Sequence, residues 1–458
     1  MERRTFTVCS PATGEVVARH DGHTTAEAAA MVDRAYRVWL GWQRTSFRDR
    51  SAGLVRAAEL LRERRDELAR TMALEMGKPV TDGRAEADKC AWVCEHYAEH
   101  AEAMLSPVEI RTDASFSGVV HRPLGVVLAV MPWNFPLWQV FRFAAPALMA
   151  GNGAVLKHAS NVPGTALAIE ALLRDAGLPE GLFATMLIGS DQVEDILAHP
   201  RVAAVTLTGS TEAGRAVATQ AGACLKKAVL ELGGSDPYVV LADADLDEAA
   251  RICADSRLVN SGQSCIAAKR FVVVADVYDA FLERFVAEMS GRVVGDPLSD
   301  DTEIGPQARV DLRDALHRQS RETQIRGARC LLGGDEPEGP GAFYPPTVLA
   351  DVPRGTPGYC QELFGPVASV IRAHSEAHAL EIANDTVFGL GAAVFTADPE
   401  RGRALAEEHL DAGCCFVNGM VKSDPRLPFG GIKESGYGRE LSTLGIREFV
   451  NQKTVWVA

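Results

Sequence analysis

VVLAVM at residues 126–131 opens a series of short apolar runs that continues with AVLKH (154–158), FATMLIG (183–189), AVTLTG (204–209) and KAVLEL (227–232). Each run is rich in Val, Leu and Ala, and each is separated from the next by a stretch able to hold one helix. Strands buried on both faces read this way, so the alternation predicts βαβ units and a parallel sheet. Ligands are then expected beyond the carboxyl ends of the strands. A second alternation begins at PYVVL (237–241) and passes through the helical pattern ADLDEAARICADSRLVN (244–260) to RFVVVA (270–275), running towards residue 430. The fold class is therefore α/β with two parallel-sheet domains, and the boundary is placed at the pair Gly233 and Gly234. Upstream, residues 49–76 carry Leu54, Ala57, Leu61, Leu68 and Met72 at helical spacing, with Gly77 and Pro79 as the stop; one long amphipathic helix is expected.

At 458 residues the chain is too long for one ordinary core, which agrees with more than one domain. A hydrophobic fraction of 47% and a charged fraction of 24% are those of a globular protein, and the formal charge of −14 does not favour nucleic acid or anionic membrane as partner. No run approaches the roughly 20 apolar residues of a membrane helix, and the opening MERRTFTVCSPATGEVV lacks the apolar stretch of a secretory signal. The ten cysteines have no CxxC spacing, so they read as reduced thiols in a cytoplasm and no metal site is expected.

Three segments carry chemistry. NSGQSC ends at Cys265, and ELGG begins at Glu231, 265 − 231 = 34 residues earlier. A thiol nucleophile and a carboxylate base, each beside glycine, suit covalent catalysis, although a buried cysteine is often only a small hydrophobe. The third segment is Pro132, Trp133, Asn134, Phe135 and Pro136, where two prolines fix the backbone around an amide able to donate to a developing oxyanion. Capping the helix that follows is the plainer role for Asn134. Gly209 and Ser210 in TGSTEAG precede a predicted helix, whose free N–H groups and dipole favour phosphate oxygens.

Taken in order, PWNFP (132–136), LKHAS (156–160), TGSTEAG (208–214), ELGG (231–234), GQSC (262–265), ELFGP (362–366) and PFGGIKESGYGRE (428–440) resemble the aldehyde dehydrogenase superfamily over nearly the whole chain. The resemblance implies a Rossmann-type NAD(P)-binding domain at 1–105 and 123–233 and an α/β catalytic domain at 234–435. It also implies a small β oligomerisation element at 106–122 and 440–458, serving a homodimer or homotetramer. It makes Cys265 the nucleophile, Asn134 the oxyanion donor and Glu231 the base that hydrolyses a thioester. Pro132, Trp133, Gly209, Ser210, Lys157, Glu362 and Phe364 would contact the cofactor. Ser160 stands where NAD-preferring relatives carry an acidic residue, so NADP is expected to be accepted alongside NAD.

Arg142 lies eight residues beyond Asn134, about two helical turns along one face. With Trp138, Ser423 and Arg426 it resembles the succinate-semialdehyde dehydrogenase group, in which an arginine would hold the substrate carboxylate; the plain alternative for Arg142 is an ion pair. Two departures from that group are Val259, in place of a second arginine, and Ala267, in place of a second cysteine. Another small aldehyde as substrate, or a catalytically silent binding protein on the same fold, are the alternative readings.

Overall fold

The computed structural model describes residues 4–335 and 339–458; the first three residues of the N-terminal segment read above lie outside the described residues. The five apolar runs form strands Val126–Val130, Gly153–Lys157, Phe183–Thr185, Val202–Thr208 and Lys227–Glu231, all parallel within one six-stranded sheet. The order across the sheet is Gly436–Tyr437, Lys227–Glu231, Val202–Thr208, Val126–Val130, Gly153–Lys157, Phe183–Thr185. The chain winds outward from Val126–Val130 in one direction, then returns to its other side. The topological switch point therefore lies between Val126–Val130 and Val202–Thr208, and the crevice at their carboxyl ends opens there. The edge strand Gly436–Tyr437 is antiparallel and returns from far along the chain.

The chain crosses to a second sheet between Glu231 and Pro237. That sheet has seven strands, with Pro237–Val240 paired to Arg270–Val274 on one side and Gly391–Phe395 on the other. Only its edge strand, Arg329–Leu332, runs antiparallel. Both sheets are covered by helices, and the central strands are buried on both faces, which is why their sequences are continuous apolar runs rather than alternating ones.

The expected helix over 49–76 is two helices, Phe47–Glu63 and Arg65–Met76, broken at Arg64 (φ −103°, ψ 12°). The C-terminal stop is as expected, with Gly77 in the left-handed conformation (φ 79°). Next comes Val80–Met104, which packs along the helix Trp138–Met149 that follows PWNFP. A three-stranded antiparallel sheet is formed by Val108–Glu109, Phe116–Pro123 and the tail Val450–Val457, all within one chain. No helix among the described residues is long and apolar enough to cross a membrane.

Candidate active site

Cys265 sits in the loop after helix Leu246–Leu258, and the approach to it is conformationally unusual. Asn260 (φ 53°), Ser261 (φ 55°) and Gly262 (φ 76°) are consecutive left-handed residues, costly for the first two. Hydrogen bonds hold them: Asn260 Nδ2 donates to the carbonyls of Asn134 (2.8 Å) and Gln263 (3.1 Å), and Ser261 Oγ accepts from Gly305 N–H at 2.9 Å. A Cβ on Gly262 would fall 2.3 Å from the Gly365 carbonyl carbon, so GQSC and ELFGP are in backbone contact. A Cβ on Gly234 would fall 2.7 Å from the Cys265 carbonyl oxygen, which brings ELGG against the nucleophile loop as well. Three motifs distant in sequence thus meet at Cys265 because two of them have no side chain there.

Beneath the loop lies Lys269, which is 1% exposed. Its Nζ donates to the carbonyls of Ser264 (2.8 Å) and Cys265 (2.7 Å) and is 3.3 Å from Glu362 Oε1. Glu362 Oε1 also accepts from Gly234 N–H at 3.1 Å. Burial pushes the Cys265 thiol up to about 12, while Arg142 and Lys269 pull it the other way. The resting thiol is therefore protonated, and two cations are placed to favour its ionised form.

Asn134 does not cap the helix that follows it. The first N–H groups of that helix, Leu137 and Trp138, donate to Glu86 Oε1, both at 2.8 Å. The Asn134 amide points instead to the Cys265 loop, where Nδ2 donates to the Gln263 carbonyl at 3.0 Å. An amide nitrogen carries two hydrogens, so one donor remains for a ligand.

Two cavities meet at Cys265, the one residue that lines both. The first, of about 230 Å³, is walled by Phe135, Trp138, Arg142, Val259, Phe429 and Ser423 together with residues of helix Val80–Met104. The second opens at the switch point and is lined by Pro132, Trp133, Asn134, Gly209, Ser210, Glu362 and Phe364. Pro132, Trp133, Asn134, Gly209 and Ser210 follow the carboxyl ends of strands Val126–Val130 and Val202–Thr208, as the topology requires, while Cys265, Glu362 and Phe364 come from the second part of the chain. The arrangement places a thiol between a small, largely apolar chamber and a crevice whose wall includes a helix N-terminus.

Glu231 lines neither cavity. It is 2% exposed, both carboxylate oxygens lack a hydrogen-bond partner, and its Oε1 lies where a side chain on Gly430 would be. Burial and the neighbouring Glu440 raise its pKa well above the carboxylate range, against the opposing pull of Arg142 and Arg439. The sequence brings Cys265 and Asn134 into one site; it sets Glu231 behind that site, in a buried charged cluster.

The aldehyde dehydrogenase family model matches residues 1–455. The chain belongs to the aldehyde dehydrogenase family. This aldehyde dehydrogenase is 50% identical to succinate-semialdehyde dehydrogenase [NADP(+)] 1 of Mycobacterium tuberculosis over 452 residues, covering 98% of this chain and 99% of that protein. The crystal structure of succinic semialdehyde dehydrogenase from Streptococcus pyogenes, in complex with NADP+, matches with a TM-score of 0.96 at 38% identity, covering 99% of each chain. An NADP-dependent enzyme of E. coli matches with the same TM-score of 0.96 at 35% identity, covering 99% of this chain and 95% of that one.

In this aldehyde dehydrogenase the crevice fits a dinucleotide on structural grounds. Ser210 caps helix Thr211–Ala223, its Oγ accepting from Ala213 N–H at 3.2 Å, which leaves other first-turn N–H groups for an anion. Trp133 and Phe364 meet edge to face at 5.7 Å and give the crevice an aromatic wall. Lys157 ends strand Gly153–Lys157, half-buried, and burial lowers its pKa; Asp191, the nearby carboxylate, is engaged by Arg4 at 3.1 Å. Ser160 is exposed in the turn that follows.

The proposed substrate residues separate. Trp138, Arg142 and Ser423 line the first cavity. Arg142 is 2% exposed, forms a buried ion pair with Glu440, donates to Thr208 Oγ1 at 3.3 Å and stacks over Phe429. Its charge is already balanced, so the ion-pair alternative describes part of what it does. Arg426 is outside the cavity: it is exposed, donates to Asp424 and lies over the Trp92 ring. Three residues important to the geometry, Lys89, Lys269 and Glu440, were not singled out by sequence. CIAAKR, with a lysine four residues past the nucleophile, and PFGGIKESGYGRE, which ends at Glu440, carried some signal for two of them.

Proposed function

We propose that this aldehyde dehydrogenase oxidises succinate semialdehyde to succinate, taking NADP and also accepting NAD. One observation carries the reading: the small chamber that ends at Cys265 is largely apolar, and its wall has three cationic side chains, Lys89, Arg142 and Lys422, against two acidic ones, Asp82 and Glu86, the latter already engaged by Lys78. An aldehyde with a carboxylate at its far end suits that distribution. The M. tuberculosis and S. pyogenes relatives, named for that substrate and for NADP, support it.

Cys265 gives up its thiol proton to water, helped by Lys269 and Arg142, and the thiolate adds to the aldehyde carbon. The oxyanion accepts the second Asn134 amide hydrogen and the Cys265 N–H. NADP would supply the hydride acceptor; Pro132, Trp133, Gly209, Ser210, Glu362 and Phe364 would hold it, and Lys157 and Ser160 would receive its ribose 2′-phosphate. As the oxyanion collapses, the carbon loses hydride and becomes a thioester on Cys265. Glu231 then takes a proton from water, and the hydroxide releases the acid and the thiolate. No hydrogen bond holds the Glu231 carboxyl in its buried position, so loss of its proton favours a turn towards the wetter side of the site.

The cofactor-binding domain is assigned to residues 1–105 and 123–233 and the catalytic domain to 234–435, although the cofactor sheet takes its edge strand Gly436–Tyr437 from beyond both ranges. Homodimers or dimers of dimers form through 106–122 and 440–458; Trp456 (55% exposed) and Val457 (48%) on the tail strand support an interface there. The protein works in the cytoplasm. The deciding experiment follows NADPH absorbance with succinate semialdehyde, butanal and pentanal. Succinate semialdehyde should give the highest kcat/KM, with activity abolished in Cys265→Ala and much reduced in Asn134→Ala. A preference for the neutral aldehydes would refute the substrate assignment, and light scattering showing a monomer would refute the assembly.

A further inference from the structure

Two carboxylates on helix Val80–Met104 hold the two backbone segments that meet at the thiol. Asp82 and Glu86 stand four residues apart on one face of that helix, and both line the chamber that ends at Cys265. Burial raises the pKa of Asp82, and the Lys78 ammonium and the Asn260 backbone N–H act against it, which places Asp82 beside the first left-handed residue of the nucleophile loop. Glu86 is 4% exposed, and its Oε1 accepts from the N–H groups of Leu137 and Trp138, both at 2.8 Å. Its Oε2 meets the buried Lys78 ammonium. Lys78 Nζ also lies 3.9 Å from the centre of the Phe135 ring, next in sequence to Asn134. The neighbouring ammonium, Lys89, donates to Ser423 Oγ at 2.8 Å, so Lys78 is the counter-ion of Glu86.

Helix Trp138–Met149 has no capping side chain of its own. Helices ordinarily draw that acceptor from a Ser, Thr, Asp or Asn just ahead of the first turn, and in PWNFPLW the one such residue is Asn134. An Asn134 turned back to cap those N–H groups could not also aim its amide at the thiol. It does not cap: among the described residues its Oδ1 has no hydrogen-bond partner, and its Nδ2 points to the Gln263 carbonyl. Glu86 takes the capping role from another helix, where two charge-assisted hydrogen bonds and the helix dipole act on its carboxylate together. We propose that Glu86, anchored by Lys78, is a positioning residue for the oxyanion step: by capping helix Trp138–Met149 from outside, it frees the Asn134 amide and fixes the turn that aims it. The proposal rests on the reading of Asn134 as the oxyanion donor.

Removing Glu86 alone would strand the Lys78 charge in the core, so the test uses two paired variants that differ only in the acceptor. One joins Lys78→Met to Glu86→Gln, and the other joins Lys78→Met to Glu86→Leu. Each is made with Asn134 intact and with Asn134→Ala, and the first-turnover burst of NADPH is followed by stopped flow with succinate semialdehyde and with butanal. With Asn134 intact, the leucine pair should form NADPH roughly 10- to 100-fold more slowly than the glutamine pair at saturating aldehyde, with KM changed by no more than about twofold. The glutamine carbonyl still accepts from both N–H groups, so that pair should stay within about threefold of the wild type. In the Asn134→Ala background the two pairs should differ by less than about twofold, because the group that Glu86 positions is gone. Alkylation of Cys265 by iodoacetamide, which forms no oxyanion, should be equal in the two. Circular dichroism checks the fold, and Lys78→Met with Glu86→Met replaces the leucine pair if that one does not fold. Equal bursts in the two pairs with Asn134 intact would overturn the proposal. So would the same gap in the Asn134→Ala background, which would make Glu86 a general support, or an equal gap in alkylation, which would move its effect to the nucleophile loop. An Asn134→Ala protein with an undiminished burst would sink the oxyanion reading and this proposal with it.

Discussion

Replacing Lys269 by methionine removes an ammonium buried directly under the nucleophile and leaves a side chain of similar length in its place. Nζ is 2.7 Å from the Cys265 carbonyl oxygen, which puts it about 6 Å from the sulfur. At an effective dielectric of about 20, that separation gives an attraction to the thiolate of about 3 kcal/mol, on the order of 100-fold in thiolate population at a given pH. The figure is an upper value, because Glu362, relieved of Lys269, is free to move. The direct measurement is the rate of alkylation of Cys265 by iodoacetamide as a function of pH, which needs neither substrate nor cofactor. At pH about 8 the Lys269→Met protein should react roughly 30- to 100-fold more slowly, with Lys269→Arg in between, while circular dichroism confirms the fold. Equal alkylation rates in wild type and Lys269→Met would refute the electrostatic argument and reduce Lys269 to a backbone clamp.

Glu231→Gln should still give a first-turnover burst of NADPH and then stall with a thioester on Cys265, lowering steady-state turnover by about 100-fold or more, as stopped-flow absorbance would show. Because burial and Glu440 raise the Glu231 pKa, and because the base works only when deprotonated, kcat should increase with pH up to a limb lying well above the ordinary carboxylate range; a flat profile across neutrality would contradict the assignment. Ser160→Glu sets a carboxylate where the 2′-phosphate is proposed to bind; at an exposed position the repulsion is about 1–2 kcal/mol, so KM for NADP should rise roughly 10-fold while KM for NAD changes little, measured by initial rates. Glu440→Leu leaves Arg142 charged and buried without its partner, at a cost of about 3–5 kcal/mol, visible as a lower thermal midpoint by calorimetry.

The parallel sheets were legible in the sequence because a strand buried on both faces has no choice but to be apolar throughout, and every one of the first five runs became a strand. The strand Gly436–Tyr437 was not, since two residues carry no periodicity and their pairing with Glu231 is set by distant chain. Nor was the break at Arg64: the surrounding RERRDE has no glycine or proline, and its residues all suit a helix. Within the site, Cys265 and Asn134 stood out because glycine and proline mark places where the backbone is constrained. Lys89 gave no such mark, and Glu440 none beyond its place at the end of PFGGIKESGYGRE. Each sits in an ordinary helical or loop context, and its meaning comes only from partners, Ser423 and Arg142, hundreds of positions away. Arg426 is the reverse case: its neighbours in sequence fit the family group, but its side chain turns outward to Asp424.

The segment from Phe429 to Glu440 closes over Glu231 and supplies the counter-charge of Arg142, although it lies far along the chain from both. Loss of this one segment would strip Arg142 of its counter-charge and Glu231 of its cover in a single step, so the charge balance of the buried cluster and the placement of the base depend on the same stretch of chain.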